Sequence, residues 1–306
     1  PVSEKFLNLF KKLPKIISYK FFKIDNSNFD TIYLDISFEN YETLLKNRDE
    51  ALDRGHAISL DFDEVKSSVW FNGQEKEAEV RLKGILDTHW LNKRRMSLKV
   101  KLKNGDTILG YNEFSLQKPR ERQWPHNYVF EKFLENFGIL STNSNFLNVV
   151  VNGEKWGIML AEESLGKIFL ENKQKKESLI FKFGDERVWF EGWAKDSYFL
   201  YRLGDPTLNY HVYDLKKKIN NSRTDNHFKN RQIISYVVEN FSNYNSKLFN
   251  SSLMVKSFFI SEAWGQFHAL LNNNTSYYFN PYTLELEPII RDQYAIDLIS
   301  DKKDII

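Results

Sequence analysis

Two groups of polar residues have the types and spacing that phosphoryl transfer requires. The first is a set of cations on consecutive predicted strands: Arg81, Lys83, Lys93, Arg94, Arg95, Lys99 and Lys101. The second is a polar cluster in the C-terminal part: His268, Asn272, Asn273, Asn274 and Asp292. Cations neutralise phosphate oxygens, while Asn and Asp oxygens hold Mg²⁺ against the phosphates of a nucleotide. A solvated strand face with an Asn-rich loop is the alternative, and the residues alone leave both interpretations open.

The composition excludes several other kinds of site. The chain of 306 residues has 43 Lys and Arg against 41 Asp and Glu, a balance that argues against a dedicated nucleic-acid-binding protein. It contains no cysteine, which excludes disulfides, thiolate nucleophiles and Cys-ligated metals but leaves the compartment open. The six histidines form no recognised metal spacing, and Walker A, G-x-G-x-x-G, G-x-S-x-G and H-E-x-x-H motifs are missing.

Residues 1–30 are expected to form an amphipathic extension. Phe6, Leu9 and Phe10 share one helical face and have lysines around them. That pattern suits a membrane-surface helix, the remainder of a removed upstream anchor, or a short helix packed on the core. The chain begins at Pro1, which suggests a cleaved, trimmed or excerpted product. No apolar run approaches the roughly 20 residues of a spanning helix, so no transmembrane segment is expected in this chain.

Strand patterns dominate residues 31–183, for which we predict a β-rich N-terminal lobe. The Asn-Gly pairs at 72–73 and 152–153 each separate two alternating segments, as in a tight hairpin. Residues 96–102 alternate between an apolar and a largely cationic face. Residues 125–138 are predicted to form a helix with this buried stripe: Val129, Phe130, Phe133, Leu134 and Phe137.

Helical patterns dominate the remainder, for which we predict a C-terminal lobe over residues 184–306 that carries the metal site. Helices are expected in 231–241 and 253–271, followed by short strands in 276–279 and 286–290. The chain ends 14 residues after the polar cluster, which is compatible with a truncated lobe. A β-rich half followed by a helical half predicts an α+β fold with two lobes.

A series of segments in this sequence carries a family resemblance. In chain order they are VRLKG, DTHW, SLKVKLK, NEFSLQKPRER, VFEKFLENFGI, FLNVVVNGEKWGIMLAEE, LIFKFGDE, HALLNNNTSYYFNP and LELEPIIRD. Together they resemble the CotH kinase family, which is named for a spore-coat protein and regarded as atypical, secretory-type protein kinases. The likeness runs from about Leu34 to Asp292. It is greater to the branch with Asn-Pro-x-Thr and Leu-Glu-Pro-Ile near its end than to the spore-coat members.

The resemblance implies a kinase-like, two-lobed fold that transfers the ATP γ-phosphoryl group to Ser or Thr of a protein acceptor, with Mg²⁺ or Mn²⁺. The family aspartate after the LEPI-like strand ligates the metal, and that position is Asp292 here. The asparagine before the YYFNP-like strand is Asn274, a second metal or catalytic-loop residue. The alternatives are a turn-capping role for Asp292 and a loop-structure role for Asn274.

The resemblance also implies a set of residues around the nucleotide. They are Arg81, Lys83, Arg95, Lys99, Glu162, Glu163 and Lys182. Arg95 stands where the family has a phosphate lysine, and an arginine binds phosphate with a different geometry. One of the two glutamates is expected to orient a cation. For each residue of this set, a surface ion pair is the alternative.

The catalytic base is where the sequence departs from the spore-coat members. Ala269 replaces an aspartate, and Tyr294 replaces an acidic residue two positions after the metal ligand. His268 is the neighbouring candidate base, because a neutral imidazole accepts a hydroxyl proton near pH 7. A packed helix histidine is its alternative. Asn127 replaces an acidic residue of the closer branch, as a further departure.

These departures keep a second function open: a catalytically degenerate, kinase-like protein that binds a partner or a component of the cell envelope. The family suggests an extracytoplasmic or envelope location. Transfer to a lipid, sugar or polyphosphate uses the same site chemistry and also stays open. The Arg120–Arg122 segment with Trp124 is either a patch for phosphate or acceptor, or a solvated loop. Catalysis requires that folding brings Asp292 opposite Lys83 and Arg95.

Overall fold

The computed structural model describes residues 29–55, 57, 63–183, 210–213, 225–271 and 274–294. The apolar face predicted for the N-terminal extension lies outside the described residues, as do Asn272 and Asn273 of the polar cluster. None of the described helices combines the length and apolar character that crossing a bilayer requires.

The N-terminal part is a closed barrel of seven strands. These are β1 (Thr31–Asp35), β2 (Val65–Phe71), β3 (Gln74–Leu82), β4 (Leu98–Leu102), β5 (Glu113–Gln117), β6 (Ser144–Val151) and β7 (Glu154–Glu163). Their order is β1-β2-β3-β4-β5-β7-β6, and β6 closes the barrel by pairing parallel to β1. Alternate residues such as Val80, Val100 and Leu116 fill the interior, so the other face of each strand points outwards.

A second sheet and the described helices complete the fold. The helices are α1 (Phe38–Arg54), α2 (His126–Glu135), α3 (Lys167–Asn172), α4 (Asp225–Ser242) and α5 (Ser251–Trp264). The remaining strands are β8 (Ile180–Phe183), β9 (Tyr210–Val212), β10 (Ser276–Asn280) and β11 (Glu285–Ile289). They form a four-stranded sheet in the order β11-β10-β8-β9.

The predicted α+β class is confirmed, but its details differ from the expectation. The β-rich part is a closed barrel, and the described C-terminal part contains a sheet as well as helices. Strand β8 pairs with β10, so the boundary predicted after residue 183 directly follows a strand of the second sheet. The limits of the two lobes stay a prediction.

Both Asn-Gly hairpins are confirmed. Asn72 and Gly73 have φ values of 49° and 76°, and Asn152 and Gly153 have 50° and 79°. Two successive positive φ values match the right-handed twist of the flanking strands, and Asn and Gly tolerate them best. The Asn152 side chain also accepts a hydrogen bond of 2.7 Å from the backbone N–H of Ile36, which connects this turn to the end of β1.

The buried stripe predicted for residues 125–138 is wrong at three of its five positions, and helix α2 ends at Glu135, before Phe137. Val129, Phe133 and Phe137 are 49%, 46% and 42% exposed, whereas Phe130 and Leu134 are buried. The buried face of the helix also carries Asn127 and Glu131. Apolar residues therefore do not mark this face, because two of the side chains that it buries are polar.

The predicted helix over residues 253–271 is too long. Helix α5 ends at Trp264, because Gly265 takes a φ of 73° and its backbone N–H bonds the Glu262 carbonyl. A 3-10 turn at His268–Leu270 follows. The early ending directs the chain towards β10, and it places His268 on a turn instead of on a helix.

The observed orientation of α2 yields a prediction on stability. Phe130 is fully buried and packs edge-on against Trp264 of α5 at 5.3 Å. We expect Phe130→Ala to lower the free energy of unfolding by about 3–5 kcal/mol, since it leaves a cavity. The matched control Phe133→Ala should change it by less than about 1 kcal/mol. Urea unfolding measures both values, and equal losses would contradict the observed orientation of α2.

Candidate functional site

The strand register places several predicted site residues on one outward face of the barrel. Arg81 on β3 is paired with Lys99 on β4, Lys99 with Ser115 on β5, and Ser115 with Glu162 on β7. These four residues point away from the interior, because their neighbours along the strands fill it. Lys83 continues this face just beyond the end of β3. The face is therefore a surface with cations at one side and a carboxylate at the other.

Arg122 connects this barrel face to the segment after β11. Its Nε and Nη2 donate to the Glu162 carboxylate at 2.5 and 3.1 Å, and its Nη1 contacts Asp292 Oδ1 at 2.6 Å. Gln117 also donates to Glu162, and Arg291 lies 3.5 Å from it. We call these five residues the Arg122 network. The guanidinium of Arg122 is buried, so Glu162 and Asp292 supply the compensating charge that burial of a cation requires.

Asp292 combines a left-handed backbone conformation with an ionised side chain. Its φ of 64° lies in the left-handed region, which Asp tolerates better than most residues. Burial opposes ionisation, but the charge of Arg122 and its hydrogen bond outweigh that effect and lower the pKa of Asp292 to about 2. The side chain is 34% exposed. An ionised and partly accessible carboxylate is therefore held at this position.

The charges of Lys83 and Asp292 both change the pKa of His89. Burial raises the pKa of Glu162, but the charges of Arg122, Arg291 and Lys83 and the hydrogen bond from Arg122 bring it below its ordinary value. Burial, helped by the charge of Lys83 and opposed by that of Asp292, lowers the pKa of His89 to about 4. The ring of His89 is therefore neutral at pH 7. The strand cation and the C-terminal carboxylate both lie close enough to influence it.

The loop after Lys83 folds closely around a glycine. Gly84 has a φ of 94°, and a Cβ placed on it would lie 2.2 Å from the His89 ring. Trp90 Nε1 donates to the Gly84 carbonyl at 3.2 Å, and His89 Nδ1 lies 3.1 Å from Ser97 Oγ. Only glycine satisfies both the backbone angle and the close approach of the ring. The VRLKG segment thus positions both Lys83 and His89.

The other predicted strand cations contact protein groups. Arg81 Nε lies 3.9 Å from Glu64, while Lys99 Nζ lies 2.8 Å from Glu113 and 2.6 Å from Ser164 Oγ. These contacts match the surface ion pairs that the sequence left open as an alternative. Their predicted contact with a nucleotide stays a prediction.

Arg95 and Lys182 lie in different surroundings. Arg95 donates to the backbone carbonyl of Ile158, burial lowers its pKa, and its buried Nε has no hydrogen-bond partner among the described residues. Lys182 lies on β8 of the second sheet, where it is paired with Ser276. The hydrogen bond of Arg95 thus goes to the backbone of β7, and Lys182 lies on a different sheet from the strand cations of the barrel.

The two consecutive glutamates have separate roles. Glu162 belongs to the Arg122 network, whereas Glu163 accepts hydrogen bonds from Asn172 Nδ2 at 2.6 Å and from Asn143 Nδ2 at 3.0 Å. Burial raises the pKa of Glu163 despite these bonds. Of the two, Glu162 is therefore the one whose pKa the charge of Lys83 helps to lower.

The C-terminal candidates lie around a single 3-10 turn. The His268 ring stacks on Tyr294 with centroids 3.6 Å apart, and burial lowers its pKa although Asp292 opposes this. Asn274 Nδ2 donates to the His268 backbone carbonyl at 2.7 Å. This contact gives Asn274 a part in the structure of the turn, and its role as a metal ligand stays a prediction. The stacking shows what Tyr294 does at the position where the spore-coat members have an acid.

The sequence did not identify Arg122 as a central residue. Arg120 and Arg122 belong to the same 3-10 turn, but Arg120 is exposed and Arg122 is buried. Both are arginines of the same short segment, so nothing in the sequence distinguishes the buried one from the exposed one. The hydrogen bond from Gln117 to Glu162 was not predicted either, because only the strand register places Gln117 on the outward face of β5. Arg291 was missed although it precedes Asp292.

A polar layer lies behind the network. Glu131 is buried, and its Oε1 accepts from Asn127 Nδ2 at 3.1 Å and from Thr142 Oγ1 at 3.5 Å. Asn127 Oδ1 in turn accepts from the backbone N–H of Gln293 at 2.8 Å. Burial, followed by the charge of Glu162, raises the pKa of Glu131 to about 8. This chain of contacts fixes the backbone next to Asp292, with a carboxyl that is mostly protonated at neutral pH.

The residues fit a cation that arrives with phosphate oxygens better than a resident one. Among the described residues, no group of three or more His, Asp or Glu side chains is arranged to hold a metal ion. Asp292 is ionised and partly accessible, but it already pairs with Arg122. Mg²⁺ in nucleotide sites needs only one or two carboxylates, because phosphates and waters complete its shell.

A concave surface elsewhere on the barrel is separate from this site. It extends over β1, β2 and the β6–β7 hairpin, and Tyr33, Trp70 and Lys155 are among its lining residues. Tyr33 and Trp70 are directly opposite each other across β1 and β2. None of the described lining residues belongs to the Arg122 network.

The comparisons with known proteins agree with the sequence motifs. Residues 80–197 match the family described as CotH kinase protein. This match confirms the resemblance to the CotH kinase family. The matched segment includes Lys83, Arg122 and Glu162 and ends before His268 and Asp292. No curated protein matched the chain.

The buried Glu131 gives a prediction on pH dependence. Its pKa lies near 8 in the folded chain, whereas an ordinary solvated glutamate has a pKa of 4.5. The stability contributed by the protonated carboxyl is complete below pH 4.5 and is lost as the pH rises through 8. The amide of Glu131→Gln does not titrate. We therefore expect wild type to lose stability relative to this variant between these pH values, by at most about 1.4 kcal/mol per pH unit.

Urea unfolding of wild type and Glu131→Gln at several pH values between about 5 and 9 measures this difference. The other titrating groups are the same in both proteins, so their contributions to the pH dependence of stability cancel in the difference. Parallel stability profiles would show that Glu131 is not held protonated.

The Gly84 loop gives a second stability prediction. We expect Gly84→Ala to lower the free energy of unfolding by at least about 2 kcal/mol more than Gly105→Ala. Both glycines have a positive φ, but a Cβ on Gly105 meets nothing within 4 Å. Thermal or urea unfolding of both variants checks this, and equal losses would contradict the close contact of His89 with Gly84.

Proposed function

We propose that this chain is a two-lobed, kinase-like phosphotransferase that uses ATP with Mg²⁺ or Mn²⁺ to phosphorylate a Ser or Thr hydroxyl of a protein. The observation that supports this most is that Arg122 joins Asp292 to Glu162, a carboxylate on the barrel face that also carries Arg81 and that Lys83 continues. The family match adds support, because it relates this barrel segment to kinase proteins. The barrel takes the place of the nucleotide-covering lobe, and the segment after β11 supplies the carboxylate.

Lys83 is proposed to bind the phosphates. Its ammonium group acts on Glu162, a buried carboxylate that Arg122 and Gln117 hold in one orientation. A lysine ammonium group is a point charge that binds phosphate oxygens. Arg81, Lys99 and Arg95 are proposed to contribute less, since they contact Glu64, Glu113 and the Ile158 carbonyl. Lys182 is proposed to contact the nucleotide from the second sheet.

Asp292 is proposed to hold the divalent cation together with the nucleotide phosphates. The cation would neutralise the charge that develops on the transferred group. His268 is proposed to accept the proton of the acceptor hydroxyl, because burial keeps its imidazole neutral and it lies near Asp292. Asn274 holds the carbonyl of His268 and so supports the position of this base, in addition to the metal role that the family implies.

Nucleotide binding is the first test. We expect ATP with Mg²⁺ to raise the melting temperature of wild type and of the control Lys93→Met, whose lysine is exposed. Lys83→Met should lose this increase, because it removes the cation next to Glu162. A full increase in Lys83→Met would contradict the phosphate role of Lys83.

Phosphoryl transfer is the second test. With labelled ATP, Mn²⁺ and a Ser-rich acceptor protein, wild type should label the acceptor. Asp292→Ala should lose at least about 100-fold of that rate, as is typical when a stabilising charge is removed from a transition state. Asp53→Ala is the control, since Asp53 is exposed on α1. Equal labelling by wild type and Asp292→Ala would defeat the assignment.

A non-catalytic function is the second candidate, and two contacts favour it. Asp292 is paired with Arg122, and Tyr294 stacks on His268 where the spore-coat members have an acid. Such a chain would keep the fold to bind a partner or a component of the cell envelope, in an extracytoplasmic location as the spore-coat name of the family suggests. Absence of a nucleotide-dependent shift in melting temperature would favour this function.

A further inference from the structure

Arg122 already forms an ion pair with Asp292, the carboxylate that a metal ion would need. Its Nη1 lies 2.6 Å from Asp292 Oδ1, and its other donors bind Glu162. The guanidinium is buried, and the fork on Glu162 holds it in place. A cation bound to Asp292 would therefore lie within a few ångströms of a fixed positive charge.

The surrounding groups add to this repulsion. Arg291 and Lys83 are further cations that act on Glu162, while Asp292 and Glu162 are the two carboxylates of the site. His89 is neutral at pH 7. Glu121, which also acts on His89, forms an ion pair of 3.4 Å with Lys118. Burial lowers the pKa of His268, so this ring adds no full charge at neutral pH. Buried Glu131 is mostly protonated, so three cations face two carboxylates.

We propose that Arg122 keeps a free divalent cation away from Asp292, and that a cation binds there only together with nucleotide phosphates. This inference rests on the proposed function and adds an order of binding to it. Phosphate oxygens carry the negative charge that offsets both Arg122 and the metal, so the complex is attracted where the bare ion is repelled. Arg122 remains bound to Glu162 through its Nε and Nη2 in either case.

Mn²⁺ binding, measured by electron paramagnetic resonance of the free ion, tests the proposal without any turnover. We expect wild type to bind Mn²⁺ weakly without nucleotide and at least tenfold more tightly with a non-hydrolysable ATP analogue. Arg122→Gln removes the charge and should bind Mn²⁺ alone at least tenfold more tightly than wild type. Arg122→Lys keeps a positive charge and should stay weak.

Arg120→Gln is the matched control, because it removes one positive charge from the same 3-10 turn at an exposed position. It should behave as wild type does. Arg122→Gln alone leaves Glu162 with less compensating charge, so its folding is checked by circular dichroism. The double variant Arg122→Gln/Glu162→Gln removes both members of that pair. It should still bind Mn²⁺ alone more tightly than wild type, because Asp292 loses the cation that contacts it, but with a smaller gain than Arg122→Gln because the charge of Glu162 is lost as well.

The outcomes separate the inference from the proposed function. If wild type binds Mn²⁺ with the analogue, but neither charge-removing variant binds Mn²⁺ alone more tightly, the inference is wrong and the function stands. Equal Mn²⁺ affinity of wild type with and without the analogue would also overturn the inference. If a charge-removing variant gains Mn²⁺ affinity while wild type binds no Mn²⁺ with the analogue, Arg122 excludes the cation but the proposed function is wrong.

Discussion

The buried ion pairs of Arg122 with Glu162 and Asp292 connect the two parts of this structure. Glu162 lies at the end of the last barrel strand, and Asp292 follows the last strand of the second sheet, so a single guanidinium holds them together. A buried cation is tolerated only with compensating carboxylates, and a buried carboxylate only with cations or donors. The three residues therefore require one another, and the position of Asp292 against the barrel face depends on them. Glu131 and Asn127 support the same segment from behind through the backbone of Gln293.

Local rules account for the parts of the fold that the sequence predicted. The two Asn-Gly hairpins depend on positive φ values at adjacent residues, which two residue types supply best, so their positions were readable. The end of α5 at Gly265 follows a similar rule, but the apolar run beyond it suggested a longer helix. The closed barrel could not be predicted in this way, because it requires the parallel pairing of β1 with β6, which are distant in sequence.

Tertiary packing decided the parts of the site that the sequence missed. The buried face of α2 contains Asn127 and Glu131, and polar residues on a buried face give no hydrophobic signal. Arg122 is indistinguishable from exposed Arg120 until the turn that contains both is placed against Glu162. Lys83 and Asp292 were candidates from residue type alone, and the family resemblance added Glu162, while Gln117, His89 and Arg291 lie in segments of the resemblance without having been singled out. Arg81 and Lys99 pair with nearby carboxylates, and their contact with a nucleotide stays a prediction.

A direct test of this account is the location of a metal ion in a crystal grown with Mn²⁺ and a non-hydrolysable ATP analogue. Anomalous scattering identifies Mn²⁺ without reference to any assumed site. The account predicts a peak at about 2.1 Å from the Asp292 carboxylate, with phosphate oxygens between the metal and Lys83. Nucleotide and metal bound elsewhere, for example in the concave surface lined by Tyr33 and Trp70, would contradict it.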